Sequence, residues 1–158
     1  MIEADRRLFL AGLGGLVLTG LSGRGLASQT VAGFHMWHSP GCGCCLEWGG
    51  RVEAFFGRKL VVTEAPDMAR IKRAHGVPDA LQSCHTALIH SVVAEGHVPP
   101  ADIRRLIQSG HKAGRGLAVP GMPAGSPGMD VGHSHKQPYK VYVFGNGRPP
   151  GIFASYGA

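Results

Sequence analysis

Three cysteines stand within four positions in the stretch HSPGCGCCLEW: Cys42, Cys44 and Cys45. The fourth, Cys84, lies in SCHTALI beside His85. Cys42 and Cys45 have C-x-x-C spacing, and Cys44 is an extra thiol between them. A thiol at a helix N-terminus meets unpaired N–H groups and the positive end of the macrodipole, so its thiolate is favoured. Disulfide exchange and metal binding both need that thiolate, so the environment does not choose between them. The number of thiols is more telling. A redox pair needs two, and here there are four. One Zn²⁺ held by four thiolates is a known structural arrangement. Adjacent side chains on a helix point about 100° apart, however, and the sequence offers one cysteine knuckle rather than two. Soft thiolates suit Cu(I), including a cluster with bridging sulfurs. Two disulfides, Cys42–Cys45 and Cys44–Cys84, are the structural alternative in an oxidising compartment. A disulfide closing so short a loop removes little chain entropy.

Other soft or borderline ligands accompany the thiols. VPGMPAGSPGMD carries Met122 and Met129. A thioether suits Cu(I), and it also fills apolar gaps. GHSHK sets His133 and His135 two apart, as a Cu(II) or Zn²⁺ pair or as a polar loop. His85, next to Cys84, is the leading histidine candidate, and His38 is near enough to tune the cysteine motif. His97 in EGHVPP is expected in a turn or packing role. His75, His90 and His111 are expected at the surface or with satisfied partners. Trp37 and Trp48 are expected in the core or at the rim of the site.

These residues need elements to bring them together. GFHMWH reads as a strand that ends at Pro40-Gly41. From Gly43, the residues Cys45, Trp48, Val52 and Phe55 or Phe56 share one helical face, and Gly57 is the stop. KLVVTEA is a short apolar strand. Asp67 caps a helix that runs to about His75 and ends at Gly76. SCHTALIHSVVAEGHVPP reads as two strands round a tight turn. ADIRRLIQSG puts Ile103, Leu106 and Ile107 on one face. From Lys112 to Pro138 the chain is rich in Gly and Pro, and it reads as a long loop without regular structure. YKVYVF is a strand, and GIFASY is a candidate for one more. The order predicts an α/β three-layer domain. A strand that runs into C-x-x-C at a helix start is the thioredoxin pattern. In that fold the loop before the third strand faces the C-x-x-C helix and normally holds a cis-proline. Here Cys84-His85 stands in that place, so all four thiols converge.

The N-terminus bears on compartment. Arg6-Arg7 precede Phe9-Leu10, a Gly-rich apolar run and the small residues of GLAS. The run is shorter than the about 20 residues of a comfortable bilayer span. The pattern is that of an export signal, of twin-arginine type, over residues 1–28. Residues 29–158 are then one domain, with no stable membrane span after cleavage. The whole chain carries a formal charge of +6 and nine histidines in 158 residues. No run of Lys or Arg interleaved with aromatics appears, so the charge reads as a solvated surface rather than a nucleic-acid site. Clustered cysteines with many histidines point to metal.

PGCGCCLEW, IKRAHGVPDALQSCHTA, EGHVPPADIRRLI and GLAVPGMPAGSPGMD together resemble the bacterial CopG-like copper-resistance proteins, a domain-of-unknown-function family described as metal-binding. The resemblance runs from about Phe34 to Tyr156. It implies a thioredoxin-like fold and a periplasmic location. It also implies copper on the C-x-C-C thiols with Cys84 as the downstream partner, a multinuclear Cu(I)–thiolate cluster, and Cu(I)/Cu(II) interconversion. It lends no support to the GHSHK segment. The expectation is a periplasmic copper-binding protein of copper resistance. Cys42, Cys44, Cys45 and Cys84 would be the ligands, with His85, Met122 or Met129 assisting. Copper ions would be its cargo, and other periplasmic copper-handling proteins its partners. The rival reading is a thiol–disulfide oxidoreductase with Cys42 as nucleophile and Cys45 as resolving thiol. The missing proline before the third strand counts against it.

Overall fold

The computed structural model describes residues 33–112, 114–130 and 136–157. The expected export signal, residues 1–28, and the His133/His135 pair lie outside the described residues. Strand β1, Gly33–His38, buries Phe34, Met36 and His38 in strict alternation. Helix α1, Gly43–Phe56, buries Cys45, Trp48, Gly49 and Val52 on one stripe, and Gly57 ends it in a left-handed cap. The edge strand β2, Val61–Glu64, is exposed along its length. Helix α2, Met68–Ala74, starts where the Asp67 side chain accepts from the Arg70 N–H at 3.0 Å. A 3₁₀ turn, Asp79–Leu81, leads to strands β3, His85–His90, and β4, Val92–Glu95. Helix α3, Pro100–Gln108, carries proline in its first turn and buries Ile103 and Leu106. Strands β5, Gly116–Ala118, β6, Tyr139–Gly145, and β7, Arg148–Tyr156, complete the chain.

The seven strands form one mixed sheet in the order β2-β1-β3-β4-β5-β6-β7. The pairs β1/β2 and β4/β5 are parallel, and the others are antiparallel. Register sorts the side chains by face. Phe34 pairs with Ile89 and Met36 with Ala87. Ala94 pairs with Leu117. These residues join Trp48 and Val52 of α1 and Ile103 and Leu106 of α3 in the main core. On the opposite face Trp37 meets His75 at the end of α2 with ring centroids 4.8 Å apart. Val77, Leu81, Ala118 and Phe144 form a smaller core on that side. The α/β expectation is therefore met, with helices on both faces of the sheet.

One expectation fails. The stretch 112–138 is not free of regular structure, because β5 lies within it and extends the sheet by pairing with both β4 and β6. A strand of three residues is too short to show alternation. Gly116, which reads as loop, is there because the Phe144 ring fills the space a side chain would need. The remaining Gly/Pro segment precedes the β6/β7 hairpin, whose second strand contains the candidate GIFASY. No helix among the described residues is long and apolar enough to cross a membrane.

Candidate metal centre

Strand β1 delivers the chain to Pro40-Gly41, which turns it into α1. Cys42 occupies the N-cap of α1, and its carbonyl accepts from the Cys45 N–H at 3.2 Å. Cys45 falls on the buried stripe, while Cys42 and Cys44 are half-buried. Cys42 and Cys45 are joined as a disulfide with Cα atoms 5.4 Å apart. Cys44 is free, with its Sγ 3.6 Å from that of Cys42. Cys84, also free, precedes β3. The four sulfurs all lie within 4.8 Å of one another. The expected convergence of the four cysteines is thus present.

His85 follows Cys84 and is fully buried. Its Nδ1 is 3.3 Å from Cys84 Sγ, its ring centroid is 4.5 Å from that of Trp48, and its Nε2 has no partner among the described residues. The Trp48 indole N–H donates to the Val98 carbonyl at 2.8 Å, so this residue is both core and rim. His38 pairs with His85 across β1/β3, and its Nδ1 lies 2.8 Å from the Ser39 carbonyl.

The structure corrects the expectation for His97. This side chain is buried at the site, with Nε2 3.1 Å from Cys84 Sγ. Its Nδ1 lies 2.8 Å from the Pro127 carbonyl. A carbonyl only accepts, so Nδ1 carries the proton and Nε2 turns a lone pair toward the sulfur. A ligating histidine is held in the same way. Cys84, His85 and His97 form a second group of metal-ligating atoms within 4.8 Å of one another, sharing Cys84 with the first. The signal for His97 was in the hairpin. Thr86 pairs with Glu95, and continuing that register two steps puts position 97 opposite position 84.

Electrostatics keep the imidazoles neutral. Burial first, and then His97, Lys72 and His38 nearby, push His85 well below the ordinary histidine range. Burial also lowers His97. Neutral imidazole is the ligating form. Burial, with Cys44 beside it, pushes the Cys84 thiol up to about 11. Without a metal, Cys84 is therefore a protonated thiol at neutral pH.

Two further devices hold the site. On the far side of the sheet Glu95 Oε1 accepts from Lys72 Nζ at 2.5 Å and from the Ser83 N–H at 2.6 Å. Its Oε2 accepts from Thr86 Oγ1 at 2.6 Å. This buried ion pair holds the Ser83 backbone before Cys84 and the Thr86 hydroxyl after it. In front, the segment 119–130 crosses the site as a strap. Ser83 Oγ donates to the Gly121 carbonyl at 2.5 Å. Gly128 adopts φ +86°, and a side chain there would meet the Trp48 nitrogen at 2.9 Å and the Cys44 carbonyl at 3.0 Å. Arg51 forks onto Asp130 at 2.9 and 2.6 Å. The methionines sit on this strap. Met122 follows the anchored Gly121 with its side chain 53% exposed, and Met129 follows Gly128 half-buried.

His75, His90 and His111 lie elsewhere. His75 Nδ1 donates to the Ile71 carbonyl at 2.9 Å. His90 packs on Phe34 and Phe56. His111 Nε2 meets Ser91 Oγ at 2.8 Å, while its buried Nδ1 has no partner among the described residues.

A family model described as a protein of unknown function, DUF411, matches residues 81–129, the span that holds Cys84, His85, His97 and the strap. No curated protein matches the chain significantly. Similar solved structures include copper resistance protein CopG in form 2, with a TM-score of 0.71 and 37% identity. That match covers 78% of this chain and 96% of the other. Form 1 of the same protein gives a TM-score of 0.67 and 36% identity over the same shares.

Proposed function

The chain belongs to the family of copper resistance protein CopG, and from that premise we propose that it is a periplasmic copper-binding protein of copper resistance or homeostasis. Cys42, Cys44, Cys45 and Cys84 hold Cu(I) once the Cys42–Cys45 bond is reduced. The observation that carries this reading is the placement of four sulfurs within 4.8 Å of one another. The donor set fits the ion, since soft sulfurs with neutral imidazole nitrogens select Cu(I) over hard cations. A multinuclear cluster is supported by sulfurs as close as the 3.6 Å between Cys42 and Cys44, a spacing suited to bridging. His97 and His85 assist through Cys84. Met122 and Met129, carried on the strap, would add soft thioether donors. The thioredoxin-like description of the scaffold rests on β1 running into C-x-x-C at the start of α1. Export by the twin-arginine route rests on the paired arginines of the N-terminal sequence.

A second reading, a thiol–disulfide oxidoreductase, is favoured by the Cys42–Cys45 disulfide at a helix start. One experiment separates the two. The mature protein, reduced anaerobically, is titrated with Cu(I) against a Cu(I) chelator. More than one tightly held copper per chain is expected, with lower stoichiometry in C44S and C84S. Full stoichiometry in both variants would sink the four-thiolate site. Insulin reduction by the metal-free protein, lost in C42S, would favour the second reading.

A further inference from the structure

A cavity lies at the end of the sheet away from the cysteines. Strand β3 starts beside Cys84 and ends at His90, so Ser91 stands roughly 20 Å from Cys84 along the strand. Ser91, Gly110, His111, Arg115 and Asn146 line a cavity of about 490 Å³ there, a volume suited to a small ligand. They come from four segments: the β3/β4 turn, the end of α3, the residue before β5 and the β6/β7 turn. The Arg115 guanidinium has no acidic partner among the described residues, and no carboxylate lines the cavity. The Arg115 backbone is fixed, since its N–H donates to the Phe144 carbonyl at 2.9 Å and its carbonyl accepts from the Val93 N–H at 3.1 Å. Ser91 Oγ lies 2.8 Å from His111 Nε2, and the buried His111 Nδ1 has no partner among the described residues. A buried N–H without an acceptor is the costly arrangement, so the ring proton sits on Nε2 and donates to Ser91 Oγ. The Ser91 hydroxyl hydrogen is then left for a ligand. With no carboxylate on Nδ1, the pair lacks the third group of a hydrolytic triad. The Asn146 amide donates one hydrogen to the His111 carbonyl at 3.1 Å and keeps the other. Carbonyls at the end of α3 are already used: Leu106 accepts from Ser109 Oγ and the His111 N–H, and Ile107 from the Gly110 N–H.

Backbone strain gathers at the same place. Among the described residues, His90, His111 and Asn146 are the non-glycine residues with positive φ, at 54°, 59° and 60°. Asn146 has a local cause in its Asn-Gly turn. His90 stands where a two-residue hairpin loop usually takes glycine, and His111 extends the left-handed end of α3 past Gly110. Such residues cluster at ligand sites. We propose that this cavity binds a phosphate-class oxyanion. The Arg115 fork takes two oxygens, the Ser91 hydroxyl and the Asn146 amide take the others, and His111 positions Ser91. Donors from separate segments surround a tetrahedral anion better than a planar carboxylate. Exposed Lys112 and Arg148 adjoin the lining residues in the chain and add positive field. The volume leaves room for the organic group of a phosphate ester. The site shares no residue with the copper reading, so either stands if the other fails.

The test uses the mature protein, with inorganic phosphate as the probe at an ionic strength held constant with chloride. Amide resonances of Ser91, His111, Arg115 and Asn146 should shift saturably, and those of the cysteine cluster should not. R115Q should weaken binding about 10-fold or more, and S91A by a smaller factor. R70Q, which removes an exposed arginine of α2, should leave binding unchanged. Glycerol phosphate and phosphatidylglycerol vesicles then separate a soluble phosphate ester from a lipid headgroup, and R115Q-sensitive binding of either supports the proposal. Absent or non-saturating shifts with phosphate, equal affinity for acetate, or equal losses in R70Q and R115Q would overturn it. The shift map on the unmodified protein needs no variant to fold.

Discussion

His97 is held by Pro127 at one nitrogen and faces Cys84 with the other, so its orientation is settled before any ion arrives. Cys84 is the opposite case, because its sulfur must change state to become a ligand. Its thiol is pushed up to about 11 by burial and by Cys44. We expect alkylation of Cys84 in the metal-free disulfide form to be slow at neutral pH and to rise with a midpoint near 11. Binding of Cu(I) at neutral pH should release that proton, measurable as acidification of a weakly buffered solution. A midpoint near the ordinary thiol value would contradict the burial. At this scale the cysteine quartet was legible from residue type and spacing. His85 was legible as a neighbour of Cys84. His97 was not, because its role depends on the register of a hairpin and not on local sequence.

Among the elements, the strap 119–130 ties the site to α1 through backbone contact at Gly128 and through the Arg51–Asp130 pair. Gly128 has both a left-handed φ and no room for a Cβ against the start of α1. Gly128→Ala should destabilise the protein by about 1–3 kcal/mol. It should also disturb the near-UV signal of Trp48, as read by thermal melting and circular dichroism. An unchanged melt would mean the strap rests on the helix more loosely than described. The helix limits were readable from Asp67 and Gly57, which carry caps with local causes. Strand β5 was not, because three buried residues leave no period to detect. The strap as a whole read as loop, and only its docking on α1 gives it a place.

Over the whole molecule, two tyrosines near the C-terminal edge set a limit at high pH. Tyr139 and Tyr156 stack with centroids 4.9 Å apart, and the Tyr156 hydroxyl donates to Asp102 at 2.9 Å. Burial raises both from 10.0 to about 12, helped at Tyr139 by Tyr156 and at Tyr156 by Asp102. A raised value means that the folded state holds the proton more tightly than the unfolded chain does. The associated stability is complete below pH 10 and is lost as pH climbs toward 12. Cys84 adds the same sign of loss between 9.0 and about 11. Alkaline unfolding over this range, followed by circular dichroism beside tyrosinate absorbance, should show structure and tyrosine protons lost together. Tyrosines that titrated near 10 in an intact fold would contradict this. The mixed α/β class was legible from element order. The sheet's width was not, because β5 is what connects the β6/β7 hairpin to the rest.

The two margins of that sheet differ in what they offer a neighbouring copy. Strand β7 carries Pro149 and Pro150, which have no N–H to give. Strand β2 is exposed throughout, with Val61 at 59% and Val62 at 41%. Strand addition between copies therefore meets proline at the start of β7 and none along β2. A β2-to-β2 contact would use up that margin on both partners and so close on itself as a pair.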